Sequence, residues 1–457
     1  MAPPKTMLKG THKAVLRRCS PEAVASAMVR VRRHLVNGRW LANNNKYGRN
    51  TVRKVQEDLK SGSADEGQLK QYIAASALPH CTDGWSFLGR ALNALQNGHA
   101  GAALHFAYYA ELRAAMSFLA TRGIGIFDKK NCVVVNPRTK AGQPPAPSCL
   151  SVPGSTHQIT WAALEYWGSI ATFGSADFLL GLVSPAGLPM LDWLSEYGTA
   201  VPSHLGRKWL KDWGLDLKQF GEDRNLRNQV SYRPGDLHNP PSLPAATASL
   251  FLIDFWHLFE PSAARFDGID RHILRNSLEL DFQGRTGRKA QGDAVYRQEV
   301  DRMVDALRPP GVKKDWLDFL TRITQSETPR LLTLAATKSD LLTPEHHLQV
   351  VSRAALLLRL ATGACEALRR DVLVDRQDLR FWWNSFGMRR GLWSAIDEPQ
   401  NCSDLWSDID LALQEERNWY AANSAANPSY SQWRTERASD FLVMGQCERI
   451  SLWGLGL

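Results

Sequence analysis

The 457-residue chain lacks the cysteine spacing that closes disulfide frameworks or zinc sites. Its cysteines, at positions 19, 81, 132, 149, 365, 402 and 447, are odd in number, widely spaced and never arranged Cys-x-x-Cys. That pattern argues for a reducing, cytoplasmic setting. Long hydrophobic runs are missing as well. The stretch from Gly168 to Leu194 has only Asp177 and Asp192 as charges, but Pro185 and Pro189 break it. It reads as two short buried helices, because a membrane span wants about 20 continuous apolar residues. The apolar helix after Pro344 carries Arg353 and Arg359, which excludes a simple span. The start, Met1-Ala2-Pro3-Pro4-Lys5, offers no apolar core for a signal peptide. No membrane partner is expected.

Several chemistries are absent too. There is no Walker A loop, no G-x-G-x-x-G after a strand, no H-E-x-x-H, no G-x-S-x-G and no EF-hand loop. Adjacent His346 and His347 point about 100° apart on a helix, so they do not share a metal easily. They read as a helix first turn. Neither a metal nor a cofactor is expected, and the lack of alternating strands and helices argues against a Rossmann domain.

Positive charge is present, and it is concentrated at one end. Residues 1–54 hold thirteen Lys and Arg against Glu22 alone, whereas the whole chain carries a net +9. A clustered basic segment is the usual electrostatic footprint for RNA or DNA, with a solvated face as the plain alternative. Arg30, Arg32, Arg33, Lys46, Arg49 and the more distant Arg224 are the candidate nucleic-acid-binding residues. The first three also suit the C-terminal end of a helix dipole. The loop Asn43–Asn50 is basic with Tyr47 inside it, and reads as a phosphate contact or a turn. Sixteen tryptophans are expected mainly in the core.

The chain is expected to be mainly α. It would form a helical bundle with one small β-hairpin, followed by a second all-α helical domain. Ser20-Pro21-Glu22 is a helix start, with Ser as cap and Pro at the first helical position. Apolar residues at helical spacing predict helices over 84–97 and 100–121. Two β-rich runs around Asp128–Asn131 predict a hairpin near 124–135, followed by a proline-rich loop over 136–155. The expected divisions are a basic segment at 1–60, a helical domain at 61–245 and an all-α domain at 246–457. The segment from Arg233 to Pro244 would be the linker.

One polar stretch points to chemistry. Asp223 to Tyr232 ends a predicted helix and carries Arg224, Asn225, Arg227 and Asn228. A polar helix near 105–120, then a helix ending Arg227-Asn228-Gln229-Val230-Ser231-Tyr232, resembles the HEPN superfamily of small helical domains. Many of its members are metal-independent ribonucleases of prokaryotic toxin–antitoxin and antiviral defence systems. Their signature is Arg, often followed by Asn, with His about five residues on. Here Tyr232 stands at the histidine position. The resemblance implies an endoribonuclease with Arg227, Asn228, Tyr232 and Glu111 at its catalytic site. It also implies a homodimer and a partner protein of the same system.

Three readings of the motif stay open. Tyr232 does the work of the histidine, with His238 or His105 nearby. Alternatively the site keeps only a binding surface, as a non-catalytic interaction or nucleic-acid-binding subunit. Or Arg224 and Arg227 make helix-end ion pairs and Asn228 caps the chain reversal.

Overall fold

In the computed structural model the described residues are 8–137, 146–170, 173–201, 206–232, 242–263 and 265–456. The protein is mainly α-helical with one small antiparallel sheet. Arg233, Pro234 and His238 lie outside the described residues, as does most of the expected linker.

Local sequence rules set many helix ends. The Ser20 side chain accepts from the Ala23 amide and Pro21 opens the helix Pro21–Leu35, as its cap signature predicts. The expected helix at 84–97 starts much earlier, as Glu66–Gln96, with Asp65 as its cap and Pro79 inside it. The helix after Pro344 begins at His346, and the Thr343 hydroxyl donates to the Asp340 carbonyl. The stretch after Gly168 does contain two short helices, Ser175–Leu182 and Met190–Tyr197.

The hairpin is present and larger than expected. Strand β1 (Ile124–Gly125) pairs antiparallel with β2 (Lys130–Val134), which pairs with β3 (Cys149–Pro153). The third strand comes from the segment expected to be loop at 136–155, a correction to that reading. Its apolar run, Cys149-Leu150-Ser151-Val152, is too short to stand out between prolines. Asn131 locks the turn: it accepts from the Phe127 amide at 2.8 Å and donates to the carbonyls of Asp128, Val152 and Gly154.

At the centre lies the helix His346–Asp371. It is long and apolar enough to cross a membrane, but 94% of its most apolar stretch is buried inside the protein. It packs against the helices Glu66–Gln96 and Ala100–Thr121. Gly84 permits that approach, because a Cβ there would sit 2.6 Å from Leu358 Cδ2. The Trp85 indole donates to Thr362 at 2.9 Å across the same contact. One apolar core runs from Leu16 to Leu455, so the central helix and its neighbours bridge the division expected near 245. The basic segment belongs to this core as well, through Leu16, Val24, Met28, Val31, Leu35 and Tyr47.

The central helix carries two buried cations, and both are neutralised. Arg359 grips Asp270 at 2.9 and 2.6 Å and donates to the Leu182 carbonyl at 2.7 Å. Arg353 spends its N–H groups on Asp223, on Ser339 and on the carbonyls of Ala335 and Thr337. A buried charge needs such partners, since losing hydration costs several kcal/mol.

Candidate functional site

The site is built where two helices run antiparallel: the tyrosine helix Ala100–Thr121 and the arginine helix Gln219–Tyr232. Asp223, Arg227 and Ser231 are spaced by four, so they share one face of the arginine helix. They meet Glu111, Tyr108 and His105, spaced by three along the tyrosine helix. A third helix, Thr156–Ser169, is fixed by Trp161 stacking on Phe220 at 4.5 Å and contributes His157.

The lowest rung is closed and structural. Glu111 is fully buried, 3.8 Å from Arg353, beside Asp223. Asp223 takes both of its 2.8 Å bonds from Arg353, and Ser339 donates to it at 2.9 Å. Burial pushes the Glu111 carboxyl well above the usual carboxylate range, and the nearby Asp223 pushes it the same way. Neither Glu111 oxygen has a hydrogen-bond partner as a carboxylate. A protonated Glu111 resolves this, because it can donate to Asp223.

The middle rung holds Arg227. Its guanidinium lies over the rings of Tyr108 at 5.0 Å and Tyr109 at 5.3 Å. The residue is only 6% exposed, and its Nε–H is buried without an acceptor. Six arginines are buried among the described residues: Arg227, Arg275, Arg353, Arg359, Arg437 and Arg449. The other five donate to carboxylates or backbone carbonyls. Among these six, Arg227 rests on tyrosine faces with no anion beside it; the less buried Arg122, with an unpaired Nε–H and the Phe178 ring at 3.8 Å, is its nearest parallel among the described residues. Cation–π contact of this kind supplies about 0.5–2 kcal/mol, well short of what desolvating a cation costs.

The top rung is half-open. The Nδ1 of His105 lies 2.7 Å from Ser231 Oγ. The Nδ1 of His157 lies 2.8 Å from the Tyr108 hydroxyl, and the two rings stack. Burial pushes the Tyr108 phenol up, so it keeps its proton, donates to His157 Nδ1 and leaves that ring's proton on Nε2. Both imidazoles are pulled below the ordinary histidine range, by burial first and then by Arg227, with Arg224 adding to the effect on His157. They are therefore neutral at neutral pH.

The predicted residues divide on this geometry. Arg227 sits on the floor of the cradle, Arg224 lies half-buried where its charge acts on Tyr108 and His157, and Asn228 is half-buried on the same helix. Tyr232 is 79% exposed, on a different face of the helix from Arg227, and takes no part in the ladder. Glu111 is sealed one turn below. Arg113 faces away and donates to His80 at 2.9 Å. The side chains absent from the expected catalytic set are His105, Tyr108, Tyr109, His157 and Asp223. The i, i+3 spacing of His105, Tyr108 and Glu111 was a usable signal, but nothing near His157 marks it.

In the basic segment, Arg30, Arg33 and Arg49 are exposed. Arg32 pairs with Asp378 at 3.1 Å and Lys46 with Asp58 at 2.7 Å. Tyr47 is a fully buried anchor whose hydroxyl donates to Asp58 at 2.8 Å and accepts from the Asp65 amide at 3.1 Å. The loop around it is therefore a built turn, and its aromatic ring is withheld from any ligand. No group of three or more metal-ligating side chains occurs among the described residues.

Comparison with known proteins adds no relative: no protein-family model, curated protein or solved structure matches this chain.

Proposed function

We propose that the cradle of Arg227, Arg224, Asn228, His105 and His157 binds the phosphodiester of RNA and cleaves it without a metal, as the resemblance to HEPN domains implies. One observation carries this reading: a buried guanidinium lacks an anion among the described residues, and two neutral histidines flank it. A phosphate supplies the missing charge, and Arg is suited to hold it by paired hydrogen bonds.

The chemistry needs one proton taken and one given. His105, when Ser231 accepts its Nδ1–H, has a free Nε2 lone pair to take the proton of a 2′-OH. The 2′-oxygen then attacks phosphorus and the bond to the 5′-oxygen breaks. The bound phosphate raises the affinity of His157 for a proton, so the ring takes one from solvent at Nδ1, the Tyr108 hydroxyl turning to accept it, and the resulting imidazolium gives its Nε2 proton to that leaving oxygen. The products are a 2′,3′-cyclic phosphate and a 5′-hydroxyl. In this account the histidines come from two other helices and Tyr232 is dispensable.

Labelled RNA incubated with the purified protein in EDTA tests the reading. Cleavage is expected, with losses of about 10²–10⁴-fold in His105→Ala and His157→Ala, and none in Tyr232→Phe. RNA bound by the wild type but left intact across several sequences would place the protein in the non-catalytic, nucleic-acid-binding class. No binding at all would overturn both versions.

A further inference from the structure

A second site is lined by none of the cradle's residues. The helices Ala245–Leu258 and Asp267–Thr286 and the turn at residues 325–330 enclose a cleft of about 1000 Å³. That is the upper end of the size range of small-molecule sites.

Its outer wall is held rigidly. Arg275 donates to the carbonyls of Phe319, Gln325 and Glu327. Arg322 binds Glu279 and donates to the Ser326 carbonyl and the Thr328 hydroxyl. Gln325 is held at φ 47°, a left-handed conformation that a non-glycine residue adopts only when its surroundings fix it. Neither Arg275 nor Arg322 lines the cleft.

The charges that do line it are unbalanced. Asp254, Glu260, Asp267 and Glu327 face only Arg271 and Arg330. Both cations are already committed, Arg271 to Asp267 and Arg330 to Glu345 outside the cleft. Of the two lining histidines, His272 adds no charge. His272 is pushed down to about 3 by burial and neighbouring arginines, and its Nδ1 accepts from Arg275. His257 sits between Arg417, 2.6 Å from its Nε2, and Glu260, 3.8 Å from its Nδ1.

Asp254 is the informative group. It is half-buried and, among the described residues, has neither a hydrogen bond nor an ion pair. Burial raises its carboxyl above the usual range, against the pull of His257 and Arg330. Leu250, Leu258 and Phe319 supply apolar floor between the acids. In a chain of net +9, such a pocket selects a cation against the overall field.

We infer that this cleft binds a linear aliphatic polyamine, with one ammonium on Asp254, its methylenes on Leu250, Leu258 and Phe319, and further ammonium groups near Glu260 and Glu327. An inorganic cation would gain nothing from that floor.

Titration calorimetry of the full chain with spermidine tests it, with 1,7-heptanediol as the uncharged control. Spermidine should bind at one site and heptanediol should give no heat. Asp254→Asn should weaken spermidine at least tenfold while keeping the melting temperature, since it removes a carboxylate with no partner. Glu327→Gln, on the exposed turn, should weaken it less. Arg227→Ala should bind like the wild type, which separates this site from the cradle. The inference is overturned by the absence of saturable heat with millimolar spermidine. Equal affinity in Asp254→Asn would overturn it too, since that marks diffuse attraction to surface acids.

Discussion

At the scale of single residues, the contrast between Arg227 and Arg353 decides how the arginine helix is understood. Both are buried, and they sit one rung apart through Asp223. Arg353 is fully satisfied within the protein, whereas Arg227 rests on two tyrosine faces with a buried, unpaired Nε–H. Arg227 is thus a desolvated cation without an anion beside it among the described residues. Glu111 is the complementary case, an acid held in its neutral form. A carboxyl whose folded pKa is raised stabilises the fold below its unfolded value and loses that contribution as pH rises toward the folded value. Glu111→Gln keeps the hydrogen bond to Asp223 and removes the penalty for ionisation. Its stability relative to the wild type should therefore grow between pH 5 and pH 9, read from urea unfolding midpoints. An unchanged difference across that range would mean that Glu111 is not held protonated.

At the scale of elements, the antiparallel contact of the tyrosine and arginine helices positions the site, and the central helix clamps it from below. Asp223→Ala would leave Arg353 buried without its carboxylate. Breaking a buried pair in this way costs about 3–5 kcal/mol. The cost should appear as a lower unfolding midpoint, well beyond that of a surface change such as Tyr232→Phe.

This is also the scale at which sequence reading succeeds and then stops. Caps and periodicity locate Pro21–Leu35, Ala100–Thr121 and the hairpin, because those signals are local. They also place Arg227 near the end of a helix. They do not reveal that Asp223 belongs to Arg353, 130 positions away, or that His157 leans on Tyr108. Neither contact leaves a local trace. Motif spacing drew attention to Tyr232, which points outward. The histidines beside Arg227 come instead from other helices: His105 shares an i, i+3 spacing with Tyr108 and Glu111, whereas nothing near His157 marks it.

At the scale of the whole molecule, the basic segment is woven into the fold and is not a detachable arm. Deleting residues 1–54 would strip Val24, Met28, Val31 and Tyr47 from the core, so truncation confounds charge with stability. Reversing the exposed Arg30, Arg33 and Arg49 to Glu isolates the charge. If these residues neutralise phosphates, the salt dependence of RNA affinity should flatten in the variant. The log–log slope should fall by about 0.7 for each phosphate of single-stranded RNA that is no longer neutralised. An identical slope would assign them to solvation alone. The acid-lined cleft, which contains none of these residues, should be indifferent to that change.

The cradle is tested most directly by binding without chemistry. Fluorescence anisotropy with a 2′-deoxy-substituted RNA oligonucleotide, which cannot be cut at the substituted position, compares the wild type with Arg227→Ala and Arg227→Lys. Arg227→Ala should lose at least tenfold in affinity and keep or gain thermal stability, since it removes a buried cation with no protein anion to hold it. Arg227→Lys should fall between the two. Affinity unchanged in Arg227→Ala, with the fold intact, would contradict the assignment of Arg227 as the phosphate-binding residue.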